Sequence, residues 1–257
     1  KFGMLGSTDS HTGLATATES NFWGKMAMDR PNPYRANRSA IYSAAGYAAV
    51  WATENTREAI FAAFKRREVY ATTGPRIQLR FFAGWEFQPN DILQPDIAEV
   101  GYRKGVPMGG DLVTSEAGAA PSFLISAVKD PLGANLDRIQ IIKGWLDAAG
   151  QLHEKIYDVD WSGDRVPRAD GSLPAVGSSV DVESASYLNS IGNHKLGAMW
   201  TDPTFKSDEP AFYYVRAIEI PTPRWTTYDA KFYQLPNAPL PQVIQERAYS
   251  SPIWYTP

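Results

Sequence analysis

Ala211-Phe212-Tyr213-Tyr214-Val215-Arg216-Ala217-Ile218-Glu219-Ile220 is the most strand-like run in the chain. Aromatic and β-branched residues fill it, and it is apolar on both faces. That pattern predicts a central strand with both sides covered. Pro221-Thr222-Pro223-Arg224-Trp225 follows and reads as a rigid corner that ends the strand. Working outward, residues 136–145 alternate, with Ile139 and Ile141 on one face and Arg138 and Gln140 on the other. A turn at 147–150 leads to a second alternating run. There Tyr157, Val159 and Trp161 share a face, and Glu154, Asp158 and Asp160 share the opposite one. Residues 77–81, 123–128 and 180–188 add shorter strands, and 162–180 read as a surface loop rich in Gly, Pro and Ser. Asp111, after two glycines, reads as a turn residue, and Trp200-Thr201-Asp202-Pro203 as a turn. Residues 76–257 therefore predict an antiparallel, β-sandwich-like domain.

The first 75 residues have a different texture. An apolar run at 2–5 carries Gly3 and leads into Gly6-Ser7-Thr8-Asp9-Ser10-His11-Thr12-Gly13. The two glycines let the backbone pass close to a neighbour. If the run is a strand, Asp9 and His11 lie two apart and point to the same side. A carboxylate and an imidazole are donors that zinc and manganese accept. The same stretch also reads as a polar turn. An irregular stretch to about residue 45 contains Asn21 and Lys25, which are candidates for contact with an anionic substrate and equally a turn Asn and a solvated Lys. Residues 46–52 read as a short buried strand, with their Ala content leaving a helix open. A helix follows, with Asn55 as N-cap, Glu58 as its capping-box partner and Ile60, Phe61 and Phe64 as its apolar stripe. Lys65, Arg66 and Arg67 complement the dipole at its end. Arg57, in the first turn, is disfavoured there and calls for a carboxylate or anionic partner, with Glu54 nearest. Residues 69–72 form another strand, and Thr73-Gly74-Pro75 marks the boundary.

Composition narrows the function. The chain has 257 residues, 44% of them hydrophobic, with a net charge of −3, so a large core can form and nothing asks for nucleic acid. The absence of Cys excludes disulfides and thiolate metal sites and suits a cytoplasmic or a periplasmic home. No run of about 18 apolar residues is present to span a membrane. P-loop, dinucleotide and nucleophile-elbow motifs are missing. Of three His, only His11 stands beside a carboxylate in a ligand-like pattern. Because the chain starts at Lys1 inside a strand-like run, an upstream segment of the same protein is expected.

Gly6-Ser7-Thr8-Asp9-Ser10-His11 resembles the last metal-binding motif of the polymerase-and-histidinol-phosphatase (PHP) superfamily. Residues 55–61 and 66–74 resemble the closing helix and strand of the same barrel. The whole chain is similar to the C-terminal part of an uncharacterised, mainly bacterial family, domain-of-unknown-function family 3604. The matching signatures include Pro107-Met108-Gly109-Gly110-Asp111-Leu112, Lys129-Asp130-Pro131-Leu132-Gly133-Ala134-Asn135-Leu136, Glu219-Ile220-Pro221-Thr222-Pro223-Arg224-Trp225 and Gln245-Glu246-Arg247-Ala248. The resemblance implies an α+β, mainly β chain. In it, 1–75 are the C-terminal remnant of a PHP-like β/α barrel, and 76–257 are the β-rich domain. It implies a parent that is a bacterial metal-dependent hydrolase, phosphoesterase-like, acting on a small anionic substrate. Asp9 and His11 would be ligands of a divalent zinc, manganese or iron ion. The rest of the site would lie upstream, so the metal site in this chain is incomplete and the chain alone is inactive. The alternative is a non-catalytic binding or structural module, with carbohydrate as the ligand suggested by the aromatic load of 8 Trp and 13 Tyr.

Overall fold

The computed structural model describes residues 1–114, 118–236 and 239–257. In chain order the strands are β1 (Tyr47–Val50), β2 (Val69–Thr72), β3 (Gln78–Gly84), β4 (Gly105–Pro107), β5 (Asp111–Leu112), β6 (Ser122–Val128), β7 (Leu136–Leu146), β8 (Leu152–Trp161), β9 (Lys195–Thr201), β10 (Ala211–Glu219), β11 (Thr222–Pro223), β12 (Val243–Ile244), β13 (Arg247–Ser250) and β14 (Ile253–Tyr255). The helices are α1 (Ala36–Ser39), α2 (Arg57–Lys65), α3 (Ile97–Lys104) and α4 (Trp225–Phe232).

β10 is central in its sheet, but only one face is fully covered: Tyr213 and Val215 are buried, whereas Phe212, Tyr214 and Arg216 on the other face are half-buried. β7 runs antiparallel along one edge, and β13 and β14 share the other. β8 extends the sheet beyond β7, and β2 and then β1 extend it beyond β13. β5 lies parallel to β14. A second antiparallel sheet has the order β4-β3-β6-β9. The two sheets share one core. Leu79, Phe81, Phe123 and Ile125 enter it from the smaller sheet, and Ile139, Ile141, Tyr213 and Val215 from the larger. The Phe123 and Tyr213 rings meet with centroids 4.5 Å apart. The alternate residues Phe82 and Leu124 face the other way, into a cluster with Phe87 and Val100. Both faces of the smaller sheet are thus covered.

Several sequence expectations shift. No β/α barrel is seen among the described residues of 1–75. Barrel staves run parallel, whereas β1 and β2 pair antiparallel and join the large sheet through β13. Residues 2–5 are irregular rather than a strand. Their glycines do pass close to neighbours: a Cβ on Gly6 would sit 2.4 Å from the Tyr47 carbonyl oxygen. The cap of α2 is Thr56, one residue later than Asn55, and its hydroxyl accepts from the Ala59 amide. The helix turns Ala63 inward and leaves Phe61 and Phe64 exposed, because one short helix lies over a sheet edge rather than a deep core. Residues 180–188 hold only an isolated bridge, Asp181 to Ser186. β9 runs through the expected turn at 200–201, and Asp111 is in β5. Three helices were unforeseen, of which α1 is a single turn within the stretch expected to be irregular. α3 begins where the Asp96 carboxylate accepts from the Ala98 and Glu99 amides. α4 begins at Trp225, the last residue of the expected corner, which also holds the short β11.

Candidate functional site

Gly6, Ser7 and Asp9 of the segment 6–13 line a cleft of about 350 Å3 together with Lys25, Ser43, Thr72, Thr73 and Tyr249, among others, and His11 is not on that lining. Lys25 organises it. Its Nζ donates to the Thr8 carbonyl at 2.5 Å, and its own carbonyl accepts from the His11 amide at 2.7 Å. The Lys25 amide in turn donates to Asp29 at 2.8 Å. Burial pulls the Lys25 pKa down, and the carboxylates of Asp9, Glu19 and Asp29 push it back. Asp9 takes a left-handed backbone, φ +49°. Asp9 and His11 are both exposed, and among the described residues neither side chain makes a hydrogen bond or an ion pair.

The other expected contact residues lie apart from this cleft. The Asn21 side chain is exposed and accepts from Trp23 Nε1 at 2.8 Å. Arg57 is exposed in the first turn of α2, and among the described residues it forms no ion pair with Glu54 or any other acid. Lys25 alone of the three faces the cleft, and its ammonium serves backbone carbonyls.

A second cleft, of about 430 Å3, opens between the N-terminal segment and the ends of β10 and β11. Glu19, Asp130, Glu219 and Glu246 line it together with Tyr47, Tyr187 and Tyr228. Glu19 is committed to structure: its two oxygens accept from the Ala44 and Trp225 amides at 2.7 and 2.8 Å. Burial still raises its pKa. Glu246 accepts from the Thr73 hydroxyl, and burial pushes it up to about 7. Glu219 is 1% exposed, and its Oε1 has no hydrogen-bond partner. Burial, then the neighbouring charges of Glu246 and Asp130, push it up to about 9. At neutral pH Glu219 therefore holds a proton and Glu246 is divided between two states. Two carboxyl groups with separated proton affinities in one cleft can donate and accept protons, or can host a positive charge. Sequence reasoning passed over this group. The signal was Glu219 itself, the one carboxylate in a run dominated by aromatic and aliphatic residues.

The family model of a protein of unknown function, DUF3604, matches residues 1–257. The chain belongs to the DUF3604 family. No curated protein and no solved structure matches it. In this DUF3604 chain, Asp9 and His11 have the donor chemistry of a divalent-metal site. Among the described residues, however, no group of three His, Cys, Asp or Glu could hold an ion. Two donors fall short of the three protein ligands that a catalytic centre needs, so the residues described do not make a metal centre by themselves. Also among the described residues, no helix is long and apolar enough to cross a membrane.

Proposed function

We propose that this chain is part of a metal-dependent hydrolase of phosphoesterase type, to which it contributes Asp9 and His11 as two ligands of a divalent zinc, manganese or iron ion. One observation carries the reading. The protein braces the backbone of residues 8–11 from two sides through Lys25, yet uses neither the Asp9 nor the His11 side chain to do so. A fixed loop with two unspent donors is what an ion shared with further ligands requires. Those further ligands come from outside the described residues. A metal so held would supply an activated water and polarise an ester oxygen. The work of this chain is to fix the two donors, and Lys25 is the positioning residue.

The test is metal analysis and phosphoesterase assay on the full-length protein that contains this chain. Asp9→Ala and His11→Ala should each lower bound metal and reduce activity by at least about 100-fold, the scale on which a lost catalytic group is felt. Metal content and activity unchanged by both substitutions would refute the reading. A second reading, a non-catalytic binding module, is supported by the acid-lined cleft with its three tyrosines. It expects ligand binding that is indifferent to Asp9→Ala.

A further inference from the structure

Glu219 poses a problem that nothing else in the fold answers. The cost of burying a carboxyl oxygen is offset when a donor meets it, and Oε1 has none. Glu219 is on the cleft lining, but its Oε1 is closed from solvent beside Gly133, where a Cβ would come 3.3 Å from it, so a ligand meets this oxygen by turning the carboxyl into the cleft. The charged and titratable groups around it are mostly of its own sign. Glu246 and Asp130 raise it, and Tyr187 lies near enough to feel it in return. Lys129 is the opposing charge, its Nζ bonding Asn135 Oδ1 at 3.3 Å rather than Glu219, and the Ala134 amide also favours the ionised carboxyl. Arg76 is also on the lining, and its amide donates to Asp130 at 2.8 Å, while Arg247 and Arg224 act on Glu246.

We propose that this cleft binds a small organic cation, a protonated primary amine, whose ammonium donates to Glu219 Oε1 and is paired by Glu246. Four independent features agree on that class. Glu19, Asp130 and Glu246 outnumber Arg76, the cation on the lining, which disfavours an anion. A bare metal ion is a poor match, because no three acidic or His side chains among the described residues converge on a common point. The cleft, at about 430 Å3, has the size of an organic ligand site. An ammonium brings three donors and a charge, so it can satisfy the orphan oxygen and relieve the repulsion between the acids together. A neutral polyol could do only the first. Tyr187 and Tyr228, both on the lining, offer ring surface to the carbon skeleton and to the charge.

The proposal is independent of the metal reading, and its chemistry has its own signature. Glu219 is protonated in the empty cleft near neutral pH, so an arriving ammonium displaces that proton into solvent. The probes are ethanolamine and propanolamine, both protonated at the pH of the titration, each with a neutral counterpart of similar shape, ethylene glycol and propanediol. Titration calorimetry at about pH 8 should show binding of the amines, weak or no binding of the neutral pair, and a heat that changes with the ionisation enthalpy of the buffer. Glu219→Gln should weaken the amines by at least about tenfold, about 1.4 kcal/mol. Leu132 stands on the rim and is 96% exposed, so Leu132→Arg leaves the fold intact while placing a competing cation at the mouth. It should weaken amine binding similarly and decides the matter if Glu219→Gln fails to fold. Asp9→Ala should leave amine binding unchanged, which separates this site from the hydrolase reading. Equal binding of the neutral probes, no binding of the amines, heats independent of buffer, or affinities unmoved by both Glu219→Gln and Leu132→Arg would each overturn the proposal.

Discussion

Glu219 holds its proton because the fold gives its charged form so little. A carboxyl group raised from its ordinary value to about 9 stabilises the folded protein while protonated. That contribution is complete below the unfolded value, near 4.5, and is lost as pH rises through about 9. Stability should therefore decline from about pH 5 to about pH 9. Glu246, raised to about 7, adds to the fall in the lower part of that window. Glu219→Gln keeps the shape and removes the charge, so its melting temperature should exceed that of the wild type at pH 9 and approach it at pH 5. Each tenfold difference in proton affinity between the folded and unfolded chain is worth about 1.4 kcal/mol, so the gain at the alkaline end is bounded at about 6 kcal/mol. A wild-type curve flat across this range, or a variant that falls in parallel with it, would contradict the assignment. Lys25 offers a second test on the same scale. Lys25→Met keeps the stem and removes the donations to the Thr8 and Ala44 carbonyls. It should cost about 1–3 kcal/mol and speed amide exchange at His11 by loosening the brace. Unchanged exchange there would show that the loop is held by something else.

Among the elements, β7, β10 and the end of β9 are joined by a buried charge. Lys143 Nζ lies 2.6 Å from Asp202 Oδ2, and both side chains are almost fully buried. The Tyr213 hydroxyl donates to the same oxygen at 2.7 Å, and the Thr204 carbonyl accepts from the lysine at 3.0 Å. Burial and the Asp202 charge raise the Tyr213 pKa far above its usual value, so the phenol remains a donor. Lys143→Met should cost about 3–5 kcal/mol, since it leaves Asp202 buried without its cation. The double variant Lys143→Met with Asp202→Asn should recover part of that loss. A denaturant titration measures both, and a single variant near wild-type stability would remove this network from the account. The same elements show what the sequence can and cannot reveal. β10 and β7 were legible because their alternation and β-branched content are strong over nine or more residues. β2 was legible because a glycine and a proline mark its end. β9 was not, because Gly197 and the following Asp202-Pro203 mimic a turn, while its strand character comes from pairing with β6. α3 was hidden in a Pro- and Gly-rich region, although Asp96 and Glu99 carried a helix-start signal. Its packing depends on Gly101, where a Cβ would meet the Phe82 ring at 2.4 Å, and that contact lies far away in sequence. Likewise the acid-lined cleft gathers residues 19, 130, 219 and 246, and no local pattern links them.

Over the whole molecule, both clefts depend on how the N-terminal segment is fastened to the body. Arg35 forms a two-pronged pair with Asp229 of α4, at 2.5 and 2.7 Å, with its guanidinium 4.8 Å from the Trp225 ring centroid. Arg224 donates to the Ala40 carbonyl at 2.6 Å, and Trp225 Nε1 donates to the Tyr42 carbonyl at 2.8 Å. Glu19 closes the set through the Trp225 amide. These contacts are buried and polar, and the apolar cluster beside them is small: Phe22, Ala36, Ala44 and Trp225. The segment should therefore open before the two sheets do, since the sheets share a far larger core. Arg35→Ala leaves Asp229 buried without its partner, a loss of about 3–5 kcal/mol. Most of that loss should appear as local opening. Residues 19–45 should gain hydrogen exchange and become susceptible to limited proteolysis, while β6, β7 and β10 keep their protection. The two clefts should then respond together, because Glu19 and Lys25 are on the same released segment. Amine binding and the bracing of Asp9 would weaken in one variant although neither site is touched. If β10 loses protection in step with the segment, the molecule opens as one cooperative unit, and the fastening contacts are part of the core rather than a clasp upon it.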